Sequence, residues 1–155
     1  MNSEHVNKIL EIVKGLIEIN RKEKVLSTLD HDELKRFLKG ADVIYSSDLQ
    51  VSANTFDKAL SFLGVGCLIG NETSDIANCV NQLYLSLKKG GVLLAIETEK
   101  TDNMFSQILF EDVFGLKEPP GLQQSELRTI LEQAGFANIS VISKMGLLYA
   151  VAKKP

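Results

Sequence analysis

The sequence reads as an α/β chain, a three-layer sandwich around a mostly parallel, doubly wound sheet that closes on a C-terminal antiparallel hairpin. Helical and strand periodicities alternate for most of its length, which implies crossover connections and therefore parallel strands. The run Val92-Leu93-Leu94-Ala95-Ile96 is apolar without alternation and follows Gly90-Gly91, as suits a strand covered on both faces. Two strand-like segments separated only by Lys144-Met145-Gly146 stand at the end, close enough to pair as a hairpin. With 155 residues, residues 1–155 are expected to form one domain.

The elements follow in order. Val6, Ile9, Leu10, Val13, Leu16 and Ile17 recur at helical spacing, so a first helix is expected over Val6 to Ile19 with Ser3 as its cap. Lys24-Val25-Leu26-Ser27 is a short candidate strand. Asp30 with Glu33 three residues on has the form of a capping box, Leu34, Phe37 and Leu38 supply an apolar face, and Gly40 stops this second helix. Asp42 to Ser46 and Lys58 to Leu63 read as strands. Ile76, Val80, Leu83, Tyr84 and Leu87 outline a helix capped by Thr73 or Ser74 and ended by Gly90-Gly91. After the strand at Val92 comes a polar loop, Thr98 to Asn103, then a short helix bearing Phe105, Ile108, Leu109 and Val113, then a break at Pro119-Pro120-Gly121. Leu127, Ile130, Leu131 and Ala134 carry the last helix, and Ile139 to Ser143 and Leu147 to Ala152 form the closing strands.

Composition narrows the function. Seventeen basic against twenty acidic residues give a net charge of −3, so no strong field calls for nucleic acid or an anionic membrane surface. Apolar residues at 45% and charged residues at 24% describe an ordinary globular protein. No apolar stretch approaches the ~20 residues that span a bilayer, and the first eight residues lack a signal peptide's apolar block. A cytoplasmic chain is expected. Two cysteines, Cys67 and Cys79, and two histidines, His5 and His31, exclude a disulfide scaffold, a zinc finger and a cluster held by four thiolates of this chain.

Three motifs carry a resemblance. Asn54 to Leu60, the turn Leu85-Ser86-Leu87-Lys88-Lys89-Gly90-Gly91-Val92-Leu93-Leu94, and Ser125 to Arg128 running on to Ala134-Gly135-Phe136 resemble the second half of Rossmann-like S-adenosylmethionine-dependent methyltransferases. Lys89 stands where that family usually has proline. Its donor site needs a glycine-rich turn after the first strand and an acid at the end of the second. The chain is instead expected to open on a helix with neither strand nor glycine cluster ahead of it. In length and layout it also resembles the N-terminal domain of the anamorsin family of cytosolic iron–sulfur assembly proteins. The Leu-Lys-Lys-Gly-Gly turn, Phe56-Asp57 leading into Ala59-Leu60-Ser61, and the ending Val151-Ala152-Lys153-Lys154-Pro155 carry that likeness. It implies a non-catalytic adaptor with no cofactor in this segment and a diflavin reductase as partner.

The remaining candidates are read from the residues. The segment Thr101 to Leu122 holds Asp102, Phe105, Phe110 and Phe114, more apolar surface than a short helix buries. It is expected to cover the sheet edge or to dock a protein partner. Glu97 and Glu99 close the central strand at the edge where such sheets place ligands. With Asp102 they make an acidic rim for a basic partner or a substrate amine, or simply a solvated loop, which is the reading preferred here. Gly64 to Gly70 is read as an apolar loop, because its glycines do not open a helix as a dinucleotide fingerprint requires. Cys67 and Cys79 read as idle thiols, and neither histidine has a catalytic partner at a usable spacing. If the chain were a methyltransferase with an unusual cofactor half, its site would draw on Asp48, Asp57 and Gly64 to Gly70. A non-catalytic subunit that stabilises an active paralogue is a third reading.

Overall fold

The computed structural model describes residues 3–46, 50–62, 73–100 and 121–155. Its elements are α1 (Ser3–Leu16), β1 (Lys24–Ser27), α2 (Asp32–Phe37), β2 (Asp42–Tyr45), β3 (Phe56–Phe62), α3 (Thr73–Ser86), β4 (Leu87–Thr98), α4 (Gln124–Ala134), β5 (Ala137–Lys144) and β6 (Leu147–Lys153). The six strands make one sheet in the order β2-β1-β3-β4-β6-β5. The first three pairings are parallel and the last two antiparallel. This is the expected α/β class, and β4 lies in the sheet interior between β3 and β6 as expected.

Strand alternation divides the core between the two faces of the sheet. Leu93 and Ala95 of β4, Ala59 of β3 and Leu148 and Ala150 of β6 pack under α3 and α4. Leu94 and Ile96, Leu60 and Phe62, and Leu147 and Tyr149 point the other way, under α1 and α2. The apolar stripe Val6, Ile9, Leu10 and Val13 of α1 seals that second face. The run read as unalternating therefore serves two cores at once.

Several boundaries move for identifiable reasons. The second helix begins a residue later than a cap at Asp30 requires. His31 is the N-cap, its Nδ1 accepting from the Glu33 N–H at 3.2 Å, while Asp30 pairs with Lys35 at 2.9 Å. Gly90-Gly91 does not end α3. The helix stops at Ser86, whose Oγ donates to the Leu83 carbonyl at 2.7 Å, and the glycines lie inside β4. Gly90 has φ +84, and a Cβ on Gly91 would stand 2.8 Å from the Lys88 carbonyl oxygen, so the pair lets the strand fold closely over its own start.

The carbonyls at the end of α3 need partners that the helix cannot supply. Backbone N–H groups of Asn54 and Thr55 donate to Leu85 and Ser86 at 2.9 and 2.8 Å. The Lys154 ammonium donates to the Tyr84 and Leu87 carbonyls at 2.9 and 2.8 Å, and to Asn54 Oδ1 at 3.1 Å. It also sits 4.6 Å from the centre of the Tyr84 ring. A cation here meets the negative end of the helix dipole.

At the end of α4, Gly135 takes φ +110 and the Phe136 N–H returns to the Leu131 carbonyl at 3.1 Å, a left-handed cap. Phe136 then meets Tyr84 edge-on, with ring centres 5.0 Å apart. The closing hairpin turns on Met145 and Gly146 alone, at φ 56 and 76. Two left-handed residues in succession match the twist of antiparallel strands.

Candidate functional site

Ligands of open α/β sheets sit beyond the carboxyl ends of the strands, where the strand order reverses. Here the reversal falls at β1, which has β2 on one side and β3 on the other. The strand expected to be missing is therefore present: Lys24–Ser27 occupies the central place that a donor-binding half requires, with α1 ahead of it. Its following turn, Thr28-Leu29-Asp30-His31, contains no glycine.

That turn is tied to the neighbouring strand and to itself. The Thr28 N–H donates to the Leu60 carbonyl at 3.1 Å, and Thr28 Oγ1 accepts from the Phe62 N–H at 2.8 Å. Ser27 Oγ donates to the Leu29 carbonyl at 2.8 Å, which folds the chain back so that Leu29 is buried. Of the backbone donors in the turn, the Thr28 N–H is bonded across to β3 and the Leu29 N–H is turned back onto Ser27 Oγ at 3.3 Å. Asp30, Asp32 and Glu33 surround the start of α2, and their charge disfavours an anion there.

Asp57 belongs elsewhere. It lies at the amino end of β3, accepting from the Lys24 N–H at 2.9 Å and facing Lys88 Nζ at 3.5 Å, on the edge opposite the crevice. It braces strand starts and does not join a site at the carboxyl edge. Asp48, Cys67, the Gly64 to Gly70 loop, Asp102, Phe105, Phe110 and Phe114 lie outside the described residues. Cys79 is half-buried on α3 and packs against the core beneath it.

Glu97 departs most from the sequence reading. It is buried, at 2% exposure, instead of solvated. Its neighbours on β4 continue the strand through Thr98, and pairing with β6 extends to Thr98 and Leu147, so the strand end is covered where a loop was expected. Alternation puts Glu97 on the face of Leu93 and Ala95, under α3, and opposite Leu148 of β6. Among the described residues its Oε1 has no hydrogen-bond partner. Burial drives its carboxyl well above the ordinary range, and the charge of Cys79 adds to the shift.

Two further buried groups were not singled out in the sequence. Ser61 of β3, fully buried, pairs in register with Ala95 and so shares Glu97's face, and its Oγ has no partner among the described residues. Tyr149 of β6 is buried on the opposite face with its hydroxyl unpartnered among the described residues, and burial raises its pKa. A serine inside the apolar segment Ala59-Leu60-Ser61-Phe62 was the available signal for the first. Glu99, half-buried one strand repeat beyond Glu97, also has a buried oxygen, Oε2, without a partner among the described residues. Among the described residues no three histidine, cysteine or acidic side chains are grouped to hold a metal ion. No helix among them is long and apolar enough to cross a membrane.

The Glu97 carboxyl gives stability a pH dependence whose sign is fixed. A carboxyl held protonated to higher pH in the folded chain makes the folded state bind more protons than the unfolded one. Its contribution is complete below the ordinary carboxylate range and is lost as pH rises toward the raised value. Glu97→Gln removes that titration. The variant is expected to gain about 1–2 kcal/mol on wild type between about pH 5 and about pH 8, measured by urea unfolding at both. A difference that stays constant over that span would show that the carboxyl ionises as freely in the folded chain as in the unfolded one.

No protein-family profile and no curated protein sequence matches this chain. Solved structures do. An S-adenosylmethionine-dependent methyltransferase of Thermotoga maritima, described as a possible histamine N-methyltransferase, superposes with a TM-score of 0.64 at 16% identity, over 94% of this chain and 87% of that one. One of Methanosarcina mazei gives 0.55 at 14% identity, over 92% and 96%. Phosphoethanolamine N-methyltransferase 2 of Haemonchus contortus, in complex with S-adenosylmethionine, gives 0.65 at 11%, over 96% of this chain and 52% of that one. This chain thus spans about half of the Haemonchus protein. At these identities the likeness establishes a Rossmann-like methyltransferase fold.

Proposed function

We propose that the chain is a non-catalytic, methyltransferase-like adaptor domain, a protein-binding module on a fold whose donor crevice has been closed. The observation that carries this reading is the turn after β1. Thr28 is bonded across to Leu60 and Phe62, and Leu29 is buried where a glycine turn would admit the methionine moiety of a donor. A fold of this kind hosts many functions, and activity follows the site and not the scaffold.

The finer reading is an adaptor in cytosolic iron–sulfur protein assembly that holds a diflavin reductase. Its support is the sequence likeness in the Leu85 to Leu94 turn and the Val151 to Pro155 ending. It assigns partner contact to the segment carrying Asp102, Phe105, Phe110 and Phe114, since buried aromatic anchors dominate such interfaces. The unpartnered acceptors at the carboxyl edge favour a second reading, a methyltransferase with a degenerate cofactor site. Calorimetric titration with S-adenosylmethionine separates the two. The adaptor reading expects no saturable binding up to about 1 mM donor. A dissociation constant of about 10 μM or lower, with shifts at Thr28 and Leu29, would sink it.

A further inference from the structure

Buried polar atoms in folded proteins are bonded almost without exception, so each orphan asks for a partner. Three of the orphans here lie together on one face of the sheet, at the carboxyl ends of β3 and β4. Ser61 Oγ is level with Ala95; Glu97 Oε1 comes one step further along, and Glu99, a half-buried residue, buries its Oε2 one step beyond that. Successive members are separated along the strand by one side-chain repeat, about 6.6 Å. All three can accept, two are acids, and no described lysine or arginine is bonded to Glu97 or Glu99.

We propose that this row is a binding site for a primary alkylammonium group, which enters past Glu99 and places its N–H donors against Glu97 and Ser61. An ammonium has three donors and no acceptor, and its charge favours ionised Glu97, which then offers it acceptors together with Glu99 and the Ser61 oxygen. A bare metal ion fits poorly, because the described acids and thiols are not grouped closely enough to ligate one. The walls suit the methylene stem of such a cation. Leu148 stands across from Glu97 on β6, and Leu122 is bridged to Glu99; both leucines are buried. An alkyl chain can lie along apolar surface while its charged end finds the carboxyl groups. The chemistry is shared by a free aliphatic amine and by a lysine side chain of a polypeptide. The proposal does not rest on the adaptor reading, and S-adenosylmethionine binding would leave it standing.

The test is titration of the isotope-labelled chain with 1,5-diaminopentane and, separately, with a short lysine-containing peptide, followed by amide chemical shifts. n-Pentanol serves as the neutral control. Saturable shifts centred on Ser61, Glu97 and Glu99 are expected with at least one amine, and none with the alcohol. Response to the diamine alone assigns a small-molecule amine, and response to the peptide alone assigns a lysine of a partner; both outcomes support the site. Glu97→Gln should weaken binding at least about tenfold. Glu99→Gln, at a half-exposed position where folding is not at stake, should weaken it several-fold. The proposal is overturned if neither amine saturates by about 10 mM, if the alcohol does as well, or if Glu99→Gln binds like wild type.

Discussion

Lys154→Met is expected to lower the unfolding free energy by about 3 kcal/mol, read as a shift of the urea midpoint with little change in slope. Methionine keeps most of the stem's volume and removes the ammonium. The Tyr84 and Leu87 carbonyls then lose their donor, Asn54 Oδ1 loses a contact, and the Tyr84 ring loses its cation. Hydrogen bonds from a charged donor are worth about 1.5–3 kcal/mol each, and those left open at a helix end are only partly rewetted. The cation–π contact adds about 0.5–2 kcal/mol. A loss under about 0.5 kcal/mol would mean that water replaces the ammonium without penalty.

Gly135→Ala should cost a comparable amount, about 3 kcal/mol, for a different reason. At φ +110 a Cβ is strained whatever surrounds it, and this one would stand 2.9 Å from Tyr84 Cζ. Tyr84 cannot retreat freely, because Phe136 packs against its ring edge-on and Lys154 lies against it. The two substitutions share Tyr84, so the double variant is expected to be less destabilised than the separate losses imply. Thermal unfolding of the single variants and the double variant measures that coupling. Strict additivity would show that Tyr84 does not link the end of α4 to the C-terminal residues.

Much of this architecture is legible in the sequence because periodicity reports which side chains face a core. Val92 to Ile96 could be read as a doubly covered strand, and Leu147 to Ala152 as half of a hairpin, since both patterns are local. What the sequence hides is where distant segments meet. Gly90-Gly91 looks like the end of a helix, yet the partners that finish α3 come from Asn54, Thr55 and Lys154. Lys24 to Ser27 is four residues long and gives no sign that it will stand at the point where strand order reverses. Only the pairing with both β2 and β3 does so.

The candidate site was half visible for the same reason. Glu97 and Glu99 could be placed at the carboxyl edge by counting along the strand. Their exposure could not be, because it depends on β6 and on Leu122, whose N–H donates to the Thr98 carbonyl at 3.0 Å. Ser61 looked like an ordinary strand residue until its register against Ala95 set it beside Glu97.

The change of direction at β4 also has a kinetic side. A hairpin closed by a two-residue turn forms in about 1–10 μs, so β5 and β6 can pair as soon as both exist. The parallel pairs need whole crossovers to close first and are slower. On the ribosome the sequence of events is reversed, for the quick hairpin is made after all the parallel strands. Until Leu147–Lys153 emerges, β4 has β3 on one side and nothing on the other. Its uncharged run, Val92 to Ile96, is then an open template for strands of other nascent chains. Translation speed between Ile96 and Lys153 thereby sets how long the chain is exposed to mispairing.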